Sequence, residues 1–153
     1  ENDTHLYINV MTNQNLLKQF RIILKREGLK FTPQRVAVLE DVMGDDGHRE
    51  CEDIYLALKK NGKHVSRATV YRTMDILVQN NFARKIEFGD GRARYESKVD
   101  SHHHDHMVCT LCGNIEEFLD QNIEDLQDKI AKKYDFILKR HIHQLFGICK
   151  KCH

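Results

Sequence analysis

Four of the five cysteines stand in two Cys-x-x-Cys pairs, Cys109/Cys112 and Cys149/Cys152. Such a turn brings two sulfurs to about 3.5–4 Å, the spacing of two corners of a tetrahedron around zinc with Zn–S bonds of about 2.3 Å. Two turns together complete a four-thiolate site. It has no open coordination position, so its zinc is expected to be structural rather than catalytic. Zinc binding there would join the start of the C-terminal half to its end and supply folding energy. A redox dithiol, or two thiol pairs without metal, are the alternatives that pairing alone leaves open.

A second concentration of donors is His102-His103-His104-Asp105-His106. On an extended segment side chains alternate, so His102, His104 and His106 face one way while His103 and Asp105 face the other. One segment is thereby able to serve two metal sites. Imidazole with carboxylate suits Fe(II), Mn(II), Zn(II), Co(II) or Ni(II) rather than calcium. A solvated polar loop is the alternative. Further candidate ligands are His48, Glu96, Glu116, Glu117, Glu124, His141 and His143.

The elements that must carry these donors change character along the chain. Leu16, Leu17, Phe20, Ile23 and Leu24 recur at helical spacing, with Gly28 placed to end that helix. Thr32-Pro33 caps and starts a second helix carrying Val36, Val38, Leu39 and Val42 and stopping at Gly44. A third helix runs from Glu52 to Asn61. Ser66 caps a fourth, Arg67 to Asn80, whose apolar positions Val70, Met74, Leu77 and Val78 leave Arg67, Tyr71 and Arg72 outward. The period then shortens. Phe82–Phe88 and Arg92–Glu96 read as two strands joined by Gly89-Asp90-Gly91. Helices followed by a hairpin are the layout of a winged helix-turn-helix. Beyond a polar stretch, strands at 107–109 and 115–119 flank the first cysteine knuckle. Asp120 caps a helix to Tyr134, and Phe136–Ile148 reads as one long strand leading to the second knuckle.

The expected class is therefore α+β: an N-terminal winged helix-turn-helix domain over residues 1–96, with 1–14 as an extension. A hinge follows at 97–101, and then a C-terminal α/β dimerisation and metal-binding domain with the four-cysteine zinc site over 102–153. Net charge is +1, which by itself announces no nucleic-acid partner. Six basic residues between Leu16 and Arg35 (Lys18, Arg21, Lys25, Arg26, Lys30, Arg35) do form a local stripe able to face phosphates. No apolar run approaches the ~20 residues of a membrane span, and the polar start is unlike a signal peptide. The expected location is the cytoplasm, with no membrane partner.

Several ordered stretches carry a family likeness: Gly28-Leu29-Lys30-Phe31-Thr32-Pro33-Gln34-Arg35, His48 ahead of Glu52-Asp53-Ile54-Tyr55, Ala68-Thr69-Val70-Tyr71-Arg72-Thr73 and Tyr95-Glu96. Others are His103-His104-Asp105-His106, Cys109-Thr110-Leu111-Cys112-Gly113, Ile115-Glu116-Glu117-Phe118 and Cys149-Lys150-Lys151-Cys152. Over roughly residues 16–153 the chain resembles the ferric uptake regulator (Fur) family, and most of all its iron-sensing branch. The resemblance implies a dimeric, metal-dependent transcriptional repressor, Fe(II)-responsive, acting on double-stranded operator DNA of iron-uptake genes, with neither a small-molecule substrate nor catalysis. It implies structural zinc on Cys109, Cys112, Cys149 and Cys152. It implies a regulatory site of His48, Glu96, His104, His106 and Glu117, and an additional site of His103, Asp105, Glu124 and His141. Mn(II), Zn(II) or Co(II) are able to substitute for Fe(II).

For DNA, side-chain chemistry points to Tyr71 and Arg72 at base edges and to Arg35 and Arg67 on phosphates, and Lys30 resembles the family residue that reaches an A/T-rich minor groove. The family also holds peroxide, zinc, manganese and nickel sensors. Peroxide sensors resembling this chain tend to have Asp where Glu96 and Glu117 stand, and zinc sensors often place Cys in the regulatory site; both departures point to iron. Cys51 stands where the family often has a Ser or Thr helix cap and receives no function. Two rival classes remain: a metalloenzyme, for which no general base or substrate pocket is legible, and a metal-buffering protein.

Overall fold

The computed structural model describes residues 2–98 and 103–153, with side chains from Gln14 onward. The described residues form two compact units. The first holds α1 (Asn2–Arg26), α2 (Pro33–Met43), α3 (Cys51–Lys60), α4 (Arg67–Gln79), β1 (Ala83–Glu87) and β2 (Ala93–Ser97). The second holds β3 (Asp105–Cys109), β4 (Ile115–Phe118), α5 (Gln121–Lys133) and β5 (Gln144–Gly147). No described helix is long and apolar enough to cross a membrane.

In the first unit local chemistry sets the helix ends. Gly28 takes φ +68°, which only glycine adopts without strain. Its N–H reaches Lys25 O and the Leu29 N–H reaches Leu24 O, closing α1 in a Schellman turn. Helix α1 reaches back to Asn2, so residues 2–14, expected as an extension, continue the helix. Thr32 Oγ1 accepts from the Arg35 N–H ahead of Pro33, and Ser66 Oγ accepts from the Thr69 N–H ahead of α4. The N-cap of α3 is Glu50, whose own N–H is taken by Asp53 Oδ2 at 2.9 Å. Cys51 is not the cap; it is the first helical residue and turns inward, 3 % exposed.

Phe20, Leu24, Val38, Ile54, Val70, Met74 and Leu77 are at most 1 % exposed and form one core with Phe82 and Tyr95. Phe20 meets Phe31 and Phe82 edge-on, at 6.4 and 6.2 Å between ring centres. Strands β1 and β2 pair antiparallel, with Arg84 opposite Glu96 and Lys85 opposite Tyr95. A single extra bridge attaches Arg49 to Tyr95, the N–H of each donating to the carbonyl of the other at 3.1 and 2.8 Å. Lys98 still donates to Phe82 O, so the start of the expected hinge is bonded into this unit. The rest of that hinge, and His102, lie outside the described residues.

The second unit is a three-stranded sheet in the order β4-β3-β5. β3 pairs antiparallel with β4 and parallel with β5, setting His106 opposite Glu117 and Cys109 beside Gly147. Asp120 caps α5, its Oδ1 accepting from the N–H groups of Asn122 and Ile123. The long strand expected over Phe136–Ile148 is corrected to Gln144–Gly147. A strand exists only where a neighbour supplies backbone partners, and β3 offers them only from its contact with His143 O to that of Thr110 N with Gly147 O. Upstream, Phe136 and Ile137 are 73 and 81 % exposed.

Candidate metal centres and nucleic-acid interface

The parallel pairing of β3 with β5 brings the two cysteine knuckles together. After Cys109 the chain reverses through Gly113 at φ +72°, whose N–H returns to Cys109 O at 2.9 Å. The Cys149–Cys152 turn closes with Cys152 N–H on Cys149 O at 2.8 Å. The four sulfurs lie within 4.8 Å of one another, and Cys112 and Cys149 stand 3.6 Å apart, too far for a disulfide. A tetrahedron with Zn–S bonds of about 2.3 Å has edges of about 3.8 Å. The thiols also divide in proton affinity. The Cys149 N–H, 3.3 Å from Cys109 Sγ, and then the Cys112 N–H hold Cys109 down to about 6. Cys152 is pushed up to about 12, above all by its contacts with the sulfurs of Cys112 and Cys149. Four sulfurs this crowded cannot all be thiolates without a cation among them, so the residues fit a structural zinc.

Alternation through β3 and the two residues ahead of it puts His103 and Asp105 on one side, as expected. There they meet Glu124, in the first turn of α5, and His141, ahead of β5. His103 Nε2 is 3.5 Å from both Asp105 Oδ1 and Glu124 Oε1; His141 Nε2 is 3.6 Å and 3.5 Å from the same two oxygens. Ligand bonds of about 2.0–2.2 Å in a tetrahedron give edges of about 3.3–3.6 Å, and four of the six edges have that length. Asp105 is 1 % exposed. Glu124 Oε1 and His141 Nε2 are buried and make no hydrogen bond, a costly arrangement unless a cation holds them. This donor set also fits a divalent metal. His143, a candidate with no place in the sets drawn from sequence, turns its Nδ1 to the other oxygen of Asp105 at 3.3 Å and so orients that carboxylate.

The opposite side of β3 carries His104 and His106, with ring centres 4.9 Å apart. His104 Nε2 lies 3.5 Å from Glu117 Oε1, and His106 faces Glu117 across the β3–β4 ladder. In the first unit, the antiparallel bridge of Arg49 with Tyr95 places their neighbours His48 and Glu96 opposite each other. His48 Nε2 and Glu96 Oε2 are 2.9 Å apart, with side chains 8 and 3 % exposed. Arg84, the cross-strand partner of Glu96, stands 3.0 Å from its Oε1. The Arg49 and Arg84 contacts went unseen in sequence because the hairpin register creates them. Glu116 is exposed and takes a bond from the Asn114 side chain.

On α4, Tyr71 is 50 % exposed and Arg72 is exposed. Lys30 is exposed at the turn before α2, its carbonyl accepting from Arg35 at 2.7 Å. Arg67 is engaged: its guanidinium grips Glu52 at 2.7–3.1 Å and lies 4.2 Å over the Tyr55 ring. A phosphate there must compete with a carboxylate. Cys51 shares a hydrogen bond with Tyr95, and burial pushes its thiol up.

The family model for "Ferric uptake regulator family" matches residues 26–146. The Ferric uptake regulation protein of Campylobacter jejuni is 40 % identical over 139 residues, 90 % of this chain and 88 % of that one. The Helicobacter pylori ferric uptake regulator, whose structure is described as revealing three functional metal binding sites, superposes with a TM-score of 0.84 at 34 % identity; 92 % of this chain and 93 % of that chain are covered. The Vibrio cholerae regulator, described for rearrangement of its DNA-binding domains, gives 0.72 at 36 % identity, covering 84 % and 98 %. The family match, together with the fold and donor clusters it shares with these structures, makes the chain a metal-dependent transcriptional regulator by class. The chain belongs to the ferric uptake regulator family.

Proposed function

We propose that this protein is an Fe(II)-responsive repressor that binds, as a homodimer in the cytoplasm, operator DNA of iron-uptake genes. The observation that carries the iron reading is the chemistry of the donors. Every cysteine outside Cys51 sits in the four-sulfur cluster. The remaining donor groups are imidazole and carboxylate only, a set that suits Fe(II) and Mn(II) better than a thiolate-bearing site does.

Cys109, Cys112, Cys149 and Cys152 hold structural zinc in this reading. His48, Glu96, His104, His106 and Glu117 form the regulatory site, and His103, Asp105, Glu124 and His141 the additional one. Residues 1–96 form the DNA-binding domain and 102–153 the dimerisation domain, with the hinge between. A divalent cation, when bound, supplies the positive charge on which two carboxylates and three imidazoles converge. Because those side chains come from both domains, sharing one cation restricts the hinge to orientations that suit DNA. A shift from mostly open to mostly restricted needs roughly 3–5 kcal/mol of differential binding.

Tyr71 and Arg72 read base edges, Lys30 enters a minor groove, and Arg35 and Arg67 take phosphates, Arg67 in exchange for Glu52. A second copy of the chain is the occupant proposed for the exposed apolar side chains of the second unit, among them Leu126, Ile130, Phe136, Ile137 and Ile142.

The test is operator binding titrated anaerobically with Fe(II), Mn(II) and Zn(II), after metal analysis of the purified chain. Activation by Fe(II), with Mn(II) as a substitute, supports the iron reading. Activation by Zn(II) alone at submicromolar concentration makes the protein a zinc sensor.

A further inference from the structure

His48 sits in the connection between α2 and α3, a place where a ligand would ordinarily wander. Besides its own contact with Glu96, it is held through the next residue, Arg49, in two ways. Through its backbone Arg49 forms the isolated bridge with Tyr95 that sets His48 against Glu96. Through its side chain it is fastened to the end of α2: Nη1 lies 2.9 Å from Asp41 Oδ2, and Nη2 donates to Asp41 O at 3.0 Å. Nε lies 3.3 Å from Asp45 Oδ1. Asp45 Oδ1 also accepts from the Gly47 N–H at 2.7 Å, closing the turn that delivers the chain to His48. The Arg49 side chain is 19 % exposed and that of Asp41 14 %, so their pair is not a loose surface contact, whereas Asp45, at 40 %, is the more exposed partner. Three nitrogens of one guanidinium thus reach three oxygens on the helix end and the turn, while the backbone of the same residue is bonded into the hairpin.

We propose that Arg49, held by Asp41 and Asp45, is a positioning residue that sets the metal affinity of the regulatory site by fixing His48 against Glu96. The proposal rests on the assignment of His48 and Glu96 as regulatory ligands. Arg49 touches neither the metal nor DNA in this scheme. It lowers the cost of ligation by holding a loop-borne imidazole at its buried carboxylate partner before metal arrives. Loss of a residue that orients a ligand typically costs 10–100-fold in metal affinity.

The experiment uses the full chain with its structural zinc in place and Co(II) as the probe, followed by its visible absorption. Six proteins are compared: wild type, His48→Ala, Arg49→Ala, Arg49→Lys, Asp41→Asn and Val42→Ala. The last removes buried apolar volume next to Asp41 without touching the ion pairs. The expected result is a Co(II) affinity lowered about 10–100-fold in Arg49→Ala, with a smaller loss in Asp41→Asn and partial rescue by Arg49→Lys. Val42→Ala is expected to melt earlier yet bind Co(II) as wild type does. In metal-free protein the Tyr95 amide is expected to exchange faster in Arg49→Ala. At saturating metal, DNA affinity is expected to return to the wild-type value, so that the midpoint moves and the plateau does not.

A His48→Ala control separates the two levels. If His48→Ala weakens Co(II) binding and Arg49→Ala and Asp41→Asn do not, the positioning role is overturned and the ligand assignment stands. If Val42→Ala weakens Co(II) binding as much as Arg49→Ala, the effect is general destabilisation and the proposal is likewise overturned. If His48→Ala binds Co(II) unchanged, the ligand assignment itself fails.

Discussion

The two units are built on different principles. In the first, Phe20, Leu24, Val38, Ile54, Met74 and Leu77 are sealed from solvent, and local chemistry agrees with that core at the starts of α2, α3 and α4 and at the end of α1. From β3 onward, the buried apolar side chains among the described residues are Val108 and Cys109, next to buried Asp105 and His106; α5 buries no residue fully. A segment of this size with so little apolar burial needs another source of stability. In the proposed reading that source is twofold: cations held by the clusters of sulfur, imidazole and carboxylate, and a second copy of the chain over the exposed apolar side chains. The first unit owes its fold to water exclusion within the chain.

The harshest way to break that contrast is to remove the structural metal. Cys112→Ser, or chelation strong enough to strip zinc, is expected to abolish amide protection in β3–β5 while α2–α4 stay protected, as read by hydrogen exchange. Equal loss in both units would show that they share one source of stability. Next in size is Leu77→Ala, expected to cost about 2–5 kcal/mol in denaturant unfolding of the first unit, with zinc content unchanged. Arg72→Ala is expected to leave folding and metal content intact and to cost about 1–3 kcal/mol in operator affinity; a gel-shift affinity equal to wild type would reject Arg72 as a reader of bases. The smallest stability effect is expected from Glu52→Gln, whose pair with Arg67 is exposed. Its melting temperature should barely change. The freed guanidinium should steepen the salt dependence of DNA binding by at most about one phosphate contact, a slope change near 0.9.

What the sequence disclosed follows the same division. Thr32-Pro33, Ser66 and Gly28 mark helix ends by chemistry confined to a few residues, and the structure has helix boundaries there. Cysteine spacing and the alternation of His103 to His106 are equally local and mark these donors, whereas the company of Glu124 and His141, or of His48, Glu96 and Glu117, is non-local and was implied only by the family resemblance. What escaped was non-local. The strand expected over Phe136–Ile148 shortened because alternation reveals willingness to pair, not the presence of a neighbour. Cys51, which received no function from sequence and stands where the family often has a Ser or Thr cap, turns inward to Tyr95, while Glu50 with Asp53 caps the helix. Arg84 on Glu96, Arg49 on Asp41 and Asp45, and Glu52 on Arg67 all depend on register and helix packing, which no short stretch of residues encodes.

The account as a whole turns on metal-controlled DNA binding through imidazole and carboxylate side chains separate from the zinc cysteines. The most direct measurement compares wild type with His104→Ala in anaerobic operator binding, with and without Fe(II), both proteins carrying structural zinc. The account predicts that Fe(II) tightens binding by wild type and leaves His104→Ala at its metal-free affinity, with zinc content and folding the same in both. Full activation of His104→Ala by Fe(II) would contradict it.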